Sequence, residues 1–133
     1  MSNDKQLMTA EFLYDLHVAS DPQISPDGQH IIFGVQRIDK KSEKKFGNLW
    51  IVPTSDGEPR QFTYGDQTDR HARWSPDGRE IAFISNRKED DQEQIFIIPF
   101  FGGEARPLTE LKGSVGSFEW SPDGRKLIMQ FRK

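Results

Sequence analysis

The sequence contains no cysteine among its 133 residues. This absence excludes a disulfide framework and any metal site built on thiolates, and it is compatible with a reducing compartment. Basic residues are not in excess, because 18 Lys and Arg stand against 21 Asp and Glu, for a formal net charge of −3. A nucleic-acid-binding domain normally needs a clustered basic surface. We therefore expect no nucleic-acid partner.

Long apolar runs are also missing. The start of the chain lacks the apolar core of a signal peptide, and no stretch approaches the roughly 20 apolar residues that span a bilayer. We therefore expect no membrane contact and a cytoplasmic location. The apolar fraction is only 34%, whereas 11 Gly and 8 Pro indicate many turns. This balance is typical of short strands joined by frequent corners.

Two blocks of sequence recur. The corner Ser-Pro-Asp-Gly begins at Ser25, Ser75 and Ser121, at spacings of 50 and 46 residues, and NLWIVPTSDGEPRQFT (48–63) matches QIFIIPFFGGEARPLT (94–109) at a constant offset of 46. The first repeat therefore has four extra residues, which we assign to a lengthened loop in the charged segment IDKKSEKKFG. A period of roughly 40–50 residues with four strand-like runs predicts the blades of a β-propeller.

Each repeat divides into four predicted strands. The first precedes the corner, and the second follows it and is apolar on both faces, as a strand packed between two blades must be. The third ends at a proline, and a glycine-containing turn leads to a short outer strand. The predicted runs are 69–74 and 114–120 for the first strand, 81–84 and 127–129 for the second, 49–52 and 95–98 for the third, and 60–63 and 106–109 for the outer strand.

The sequence thus predicts an all-β fold, a partial β-propeller of about two complete four-stranded blades plus half of a third. We place the blades near residues 21–63, 69–109 and 114–133, the last one truncated. Residues 1–20 form a leader with a short predicted helix near residues 10–16, capped by Thr9 and ended by Pro22. Closed propellers hold about four to eight blades. We therefore expect a piece of a larger protein, or a subunit completed by self-association through its open blade edges.

The corners are best explained as turn chemistry. In the second copy Pro76 presets the turn, Asp77 bonds nearby amides, and Gly78 supplies a left-handed conformation. Equivalent corners on successive blades cannot converge on one substrate, so we do not expect Ser75 to be catalytic. The chain also lacks a Gly-Xaa-Ser-Xaa-Gly nucleophile elbow. We expect no catalytic, cofactor-binding or metal-binding residue in this chain, and no cofactor.

Two groups of polar residues are weaker candidates for binding a cation. Asp66, Asp69 and His71 are close in sequence, but a polar loop between blades explains them better, because metal sites have better-defined ligand spacing. The second group is an acidic hairpin tip, for which a solvated loop is the better interpretation because no EF-hand pattern appears. This tip consists of Glu89, Asp90, Asp91 and Glu93.

The innermost strands carry residues of two kinds. Trp74 and Trp120 each precede a corner, as Ile24 does in the first copy, and this repetition favours packing between blades over ligand stacking. Three polar residues alternate with them and are predicted to face a central channel. That hypothesis fails for Arg73 if its side chain is buried and paired within its own blade. The three residues are Gln23, Arg73 and Glu119.

The repeats resemble those of known propellers. The corner WSPDG with its Ile-Xaa-Phe run, and the outer block GGEARPLT, resemble the propeller repeats of the prolyl oligopeptidase family of serine peptidases and of the periplasmic propeller of the Tol system. The leader TAEFLYDLHVASDPQISPDG is similar to the start of bacterial acylaminoacyl-peptidase-like or dipeptidyl-aminopeptidase-like members of the first group. The resemblance covers about residues 9–131.

This resemblance implies a cytoplasmic enzyme in which an N-terminal propeller caps a C-terminal α/β-hydrolase domain with a Ser-Asp-His triad. The propeller restricts access, so that short peptides react and folded proteins do not. No position here matches the triad motifs, so we expect this chain alone to hydrolyse nothing, with the hydrolase domain and short peptides as its partners. Two alternatives stay open: a Tol-type protein-interaction propeller, which would need export, and a short chain whose copies assemble into a closed ring.

Overall fold

The chain is all-β in the part that the computed structural model describes, residues 19–89 and 92–132. The predicted helix near residues 10–16 lies outside these residues. The first sheet consists of β1 (Ala19–Ile24), β2 (His30–Ile38), β3 (Lys45–Pro53) and β4 (Arg60–Gln61). The second consists of β5 (Asp69–Trp74), β6 (Glu80–Glu89), β7 (Gln92–Pro99) and β8 (Arg106–Pro107), and the third of β9 (Ser114–Trp120) and β10 (Leu127–Arg132).

Each four-stranded sheet is an antiparallel meander, in the order β1-β2-β3-β4 and β5-β6-β7-β8. The third sheet has only β9 and β10 among the described residues. This arrangement confirms the prediction of a partial propeller with two complete blades and half of a third. Within the described part of the chain, no helix has the length and apolar character needed to cross a bilayer.

The outer strands are shorter than predicted. The ladder of β4 ends before Thr63 because the N–H groups of Phe62 and Thr63 both donate to the carbonyl oxygen of Leu49, at 2.8 and 3.1 Å. The Thr63 hydroxyl then accepts the N–H of Leu49 at 2.9 Å, so a side chain replaces the next backbone acceptor. The second blade repeats this arrangement with Leu108, Thr109 and Ile95.

The extra residues of the first repeat lie in the loop between β2 and β3. This loop covers residues 39–44, whereas residues 90–91 separate β6 from β7. It is shorter than the predicted segment 38–47 because the hairpin continues into that segment, with Ile38 paired to Lys45. Within the loop the Ser42 hydroxyl donates to the Asp39 carboxylate at 2.6 Å, and this bond is the main cause that lowers the pKa of Asp39.

The core lies between the blades. Successive residues of β6 alternate between two apolar clusters, so that Ile81 and Phe83 face the first blade while Ala82 and Ile84 face the third. All four are fully buried, as the prediction of a strand apolar on both faces requires. The first cluster contains Ile32, Leu49, Ile51, Ala72, Trp74, Ile81, Phe83, Phe96 and Ile98, and the second contains Ala82, Ile84, Ile95, Ile97, Val115 and Phe118.

Candidate functional site on the inner strands

The Ser-Pro-Asp-Gly corners have the same hydrogen bonds in all three copies. In the second copy the Ser75 hydroxyl donates to Asp77 at 2.6 Å and accepts the N–H of Glu80 at 3.0 Å. Asp77 also accepts the N–H of Arg79 at 3.0 Å, and Gly78 has a φ of 73°. The Ser75 hydroxyl is the main reason that the pKa of Asp77 lies below its ordinary value. These side chains close the turn, in agreement with the turn-chemistry interpretation.

Corners of successive blades lie side by side. A Cβ at Gly78 would lie 3.6 Å from Cδ of Pro26, and a Cβ at Gly124 would lie 3.4 Å from Cδ of Pro76. Each glycine therefore serves both the turn, through its positive φ, and the close approach of the preceding corner. The corners form a row along the blades and do not converge on a shared point.

The inner strands of both complete blades contain a β-bulge at the same position. The register of β1 slips after Ser20, and that of β5 slips after Arg70. The residues that follow, Asp21 and His71, have φ values of 52° and 57°. Asp and His adopt this left-handed conformation more readily than most residues, and bulges change the direction in which side chains point. Both side chains contact the following blade.

Asp21 of the first blade forms an ion pair with Arg73 of the second. Oδ2 of Asp21 lies 2.8 Å from Nη1 of Arg73, which also donates to the carbonyl oxygen of Ala72 at 2.7 Å. The Arg73 side chain is 25% exposed and its acidic partner belongs to the neighbouring blade. The channel-facing hypothesis would fail for Arg73 if its side chain were buried and paired within its own blade, and this is not what the structure shows. Glu119 is exposed and Gln23 is half-buried, and the channel-facing hypothesis stays a prediction for all three residues.

His71 joins the second blade to the third. Its Nε2 lies 3.0 Å from the carbonyl oxygen of Phe118, and the two rings meet edge-on with centroids 4.9 Å apart. Because a carbonyl only accepts hydrogen bonds, Nε2 carries the proton. Partial burial is the main cause that lowers the pKa of His71, and Nδ1 faces Nη2 of Arg73 at 3.4 Å. At neutral pH His71 is therefore an uncharged donor.

The two tryptophans cross from one blade to the next. Trp74 donates its indole N–H to the carbonyl oxygen of Gln23 at 3.0 Å, and Trp120 donates to that of Arg73 at 3.1 Å. Because Gln23 and Arg73 occupy equivalent positions, each tryptophan binds the inner strand of the preceding blade. The predicted packing role is confirmed. Ile24, at the same position in the first copy, is 61% exposed, since the described residues contain no blade before it.

The first candidate cation group is not assembled. Asp66 lies 2.6 Å from Nη2 of Arg37, whereas the buried Asp69 carboxylate accepts from Arg87 at 3.0 Å. His71 faces Phe118, as described above. Each side chain thus has a different partner and points to a different neighbour. Within residues 19–89 and 92–132, no group of three or more His, Cys, Asp or Glu side chains is placed to hold a metal ion.

Two of the four residues of the acidic hairpin tip are described by the structure. Asp90 and Asp91 lie outside the described residues. Glu89 is exposed at the end of β6. Glu93 turns back along its own sheet, where its Oε2 lies 2.6 Å from Nε of Arg70. Of the two glutamates, one is therefore solvated, as expected, and the other forms an ion pair within the second blade.

A cavity between the first two blades was missed by sequence reasoning. It has a volume of about 250 Å³ and lies beside the bulges. Its lining includes Gly34 and Gly47, whose counterparts in the second blade are Ile84 and Glu93. A glycine in the interior of a strand is a sequence signal for the close approach of another backbone, and the N–H of Gly47 donates to the carbonyl oxygen of Gln67 at 3.0 Å beside this cavity. The polar lining includes Ser20, Asp21, Thr68, Asp69, Arg70 and His71.

The repeat architecture agrees with a known family. A family model described as the TolB beta propeller domain matches residues 6–133. The chain belongs to this family. The propeller predicted from the repeats, with its blades packed through Trp74 and Trp120, is thereby placed among known propeller domains.

Peptidases are found among the similar proteins. The propeller is 37% identical over 86 residues to a protein named uncharacterized peptidase YuxL from Bacillus subtilis, and the match covers 65% of this chain but only 13% of that protein. Acylaminoacyl peptidase from Pyrococcus horikoshii has a TM-score of 0.68 at 24% identity, over 84% of this chain and 17% of that one. The propeller domain of the trilobed protease from Pyrococcus furiosus has a TM-score of 0.66 at 24% identity, over 84% and 34%. The resemblance to peptidase propellers is confirmed.

Proposed function

We propose that the chain is the N-terminal propeller portion of a cytoplasmic serine peptidase acting on short peptides, and that it gates access to a separate α/β-hydrolase domain. The observation that carries the proposal is the 37% identity to a protein named as a peptidase. The fold likeness to acylaminoacyl peptidase supports it. The chain spans a small part of these proteins, so the catalytic residues belong to the remainder.

The inner strands have the properties that a gate requires. Their polar side chains are held by bonds between blades, as in the Asp21–Arg73 pair and the bond from His71 to Phe118. Because each of these bonds joins two sheets, a shift of one blade would break them. In the proposed gate the inner strands line the central channel, and these bonds keep the width of that channel constant. A channel of constant width would exclude a folded protein and admit an extended peptide.

Two side chains that a hydrolytic centre could use have other partners in the described residues. His71 donates a hydrogen bond to a backbone carbonyl oxygen and packs edge-on against an aromatic ring. The buried Ser75 hydroxyl donates to the carboxylate of its own corner. A nucleophilic serine needs a base within hydrogen-bonding distance. We therefore expect the purified chain to hydrolyse neither acylaminoacyl nor dipeptidyl chromogenic substrates, and measurable turnover by this chain would contradict the proposal.

A chimera tests gating directly. The matched segment of the Bacillus subtilis peptidase is replaced by the corresponding residues of this chain, and hydrolysis of a short peptide is compared with that of a folded protein containing the same cleavable sequence. We expect the chimera to cleave only the peptide. A second variant that lacks the segment is expected to lose this discrimination. If the variant discriminates as well as the chimera does, the segment is not a gate.

A Tol-type interaction module is the alternative, favoured by the description of the family model. It differs in location, since such a module would be exported, whereas the peptidase proposal puts the parent protein in the cytoplasm. Fractionation of cells that produce the parent protein separates the two. Recovery from the periplasm would favour the Tol-type function.

A further inference from the structure

The second blade meets its two neighbours with different side chains beside the bulges. At the interface with the first blade, Ser20 pairs with Gly34 across β1 and β2. At the interface with the third blade, the equivalent pair is Arg70 and Ile84. Ile84 is fully buried in the cluster that faces the third blade. The second interface thus contains a branched aliphatic side chain at the position where the first has only the hydrogen atom of a glycine.

The space over Gly34 is open. Among the described residues, a Cβ at Gly34 would meet only Ser20 within 4 Å, with Oγ at 3.4 Å and the carbonyl oxygen at 3.7 Å. This space belongs to the cavity of about 250 Å³, whose apolar lining of Val35, Leu49 and Ala72 is buried. A cavity of roughly 150 Å³ already holds a benzene-sized guest. The volume is therefore sufficient for the side chain of an isoleucine.

The polar lining of the cavity favours a neutral ligand. Each of the three charged side chains in the lining has an ion-pair partner, in the pairs Asp21–Arg73, Asp69–Arg87 and Arg70–Glu93. A charged ligand would find no uncompensated partner here, and burial of an unpaired charge is costly. The Ser20 hydroxyl and the carboxylate oxygens can still bond neutral amide groups. A peptide residue with an aliphatic side chain offers both kinds of group.

We propose that this cavity binds one branched aliphatic residue of a peptide. The side chain lies over Gly34, in the place that corresponds to Ile84 at the next interface, and the amide groups lie against Ser20 and Asp21. The choice of a peptide as the source of this group rests on the proposed function. The aliphatic and neutral character of the ligand follows from the cavity itself.

Two small amides test the proposal. N-acetylisoleucinamide and N-acetylglycinamide share their amide groups and differ in the side chain. Titration of the isotope-labelled chain, followed in nitrogen–proton correlation spectra, reports on the amide signals of Gly34 and Gly47. We expect saturable shifts with N-acetylisoleucinamide, and a dissociation constant at least about tenfold higher for N-acetylglycinamide, which buries no side chain.

Isobutanol tests the other source of the same aliphatic group, a small molecule without a peptide bond. We expect it to bind at least about tenfold more weakly than N-acetylisoleucinamide, because it lacks the amide groups that bond the polar lining. Affinity equal to that of N-acetylisoleucinamide would overturn the assignment of the cavity to a peptide.

A matched pair of variants tests the location. Gly34→Ile places in the cavity the side chain that the next interface has at this position, so binding of N-acetylisoleucinamide should be lost. Gly34 lacks the positive φ of the turn glycines, so its backbone accepts a side chain, and circular dichroism verifies the fold. Ser55→Ile adds the same side chain on an exposed turn and should leave the affinity unchanged.

Two results would overturn the proposal. One is equal affinity of the unmodified chain for the two amides, a comparison that stands even if Gly34→Ile does not fold. The other is undiminished binding of N-acetylisoleucinamide to a folded Gly34→Ile variant. Failure of the proposed function is distinguishable from both, because the chimera measures discrimination during turnover whereas these affinities are measured on the chain alone.

Discussion

The second blade and the half-blade after it begin alike and end differently. In both, the corner between the first two strands has a hydrogen bond of 2.6 Å from serine to aspartate and one of 3.0 Å from a backbone N–H to the serine hydroxyl. The strands that leave these corners differ, since Phe83 is fully buried and its counterpart Met129 is 38% exposed. The comparison shows that the corner closes through bonds among its own few residues, whereas the burial of a strand is supplied by its neighbours.

The energetic consequence follows from the position of the core. Fully burying a large apolar side chain contributes about 1.5–3 kcal/mol relative to leaving it exposed. β6 obtains this contribution on both faces because a sheet lies on each side of it. β10 obtains little of it, because its outward side chains, such as Ile128, face solvent. The two regions should therefore respond differently to the same substitution.

Shortening a side chain in the core strand should show the largest difference in stability between the two regions. Phe83→Ala removes a fully buried ring, and we expect the free energy of unfolding to fall by about 3–5 kcal/mol because a cavity is left between the blades. The matched change Met129→Ala should cost about 1 kcal/mol or less, because water already reaches that side chain. Urea denaturation followed by circular dichroism measures both losses. Equal losses would show that the half-blade is as well packed as the complete one.

Replacement of the tryptophans tests the links between blades. Trp74→Phe removes the indole bond to Gln23 and part of a buried side chain, which should cost about 2 kcal/mol. Trp120→Phe removes the same bond to Arg73. Because Trp120 is only half-buried, we expect this variant to lose about 1 kcal/mol of unfolding free energy. Thermal unfolding of the two variants measures both losses. A larger loss at Trp120 would reverse the order of the two interfaces.

Replacement of the corner serines distinguishes the stability that comes from the local hydrogen bonds from the stability that burial adds to them. Ser75→Ala should cost about 1 kcal/mol, because the N–H of Glu80 loses its acceptor at a position shielded from water. Ser121→Ala removes identical bonds. At that more exposed corner water can replace the hydroxyl, so a loss of only a few tenths of a kcal/mol is expected. Denaturant midpoints of the two variants test this, and identical shifts would mean that burial adds nothing to the corner.

Acid should weaken the contact between the second blade and the half-blade. Since the folded pKa of His71 lies below its ordinary value, the unfolded chain takes up the proton first. The stability contributed by neutral His71 is therefore complete above about pH 6.5 and is lost as the pH falls through the folded pKa. We expect a His71→Gln variant to have a shallower dependence of unfolding free energy on pH in this range. An unchanged slope would show that His71 titrates alike in both states.

Much of the fold could be predicted because its signals are local. The corner at Ser75 and the period between copies are read directly from residue order, and both recur in the observed blades. The end of β4 was misplaced because Thr63 uses its hydroxyl to terminate the ladder, a choice that depends on the approach of Leu49. The cavity beside Gly34 was missed because its existence depends on what two adjacent sheets leave unfilled.

The residues themselves determined the blades, since turn residues and apolar alternation act over a few neighbours along the chain. The partners of the inner-strand side chains were decided by the tertiary structure. Asp21 contacts Arg73 across 52 positions, and His71 contacts Phe118 across 47. Both contacts require a bulge that redirects the side chain and a following blade that supplies the partner. Sequence patterns report such bonds poorly because they arise only once separate sheets have packed.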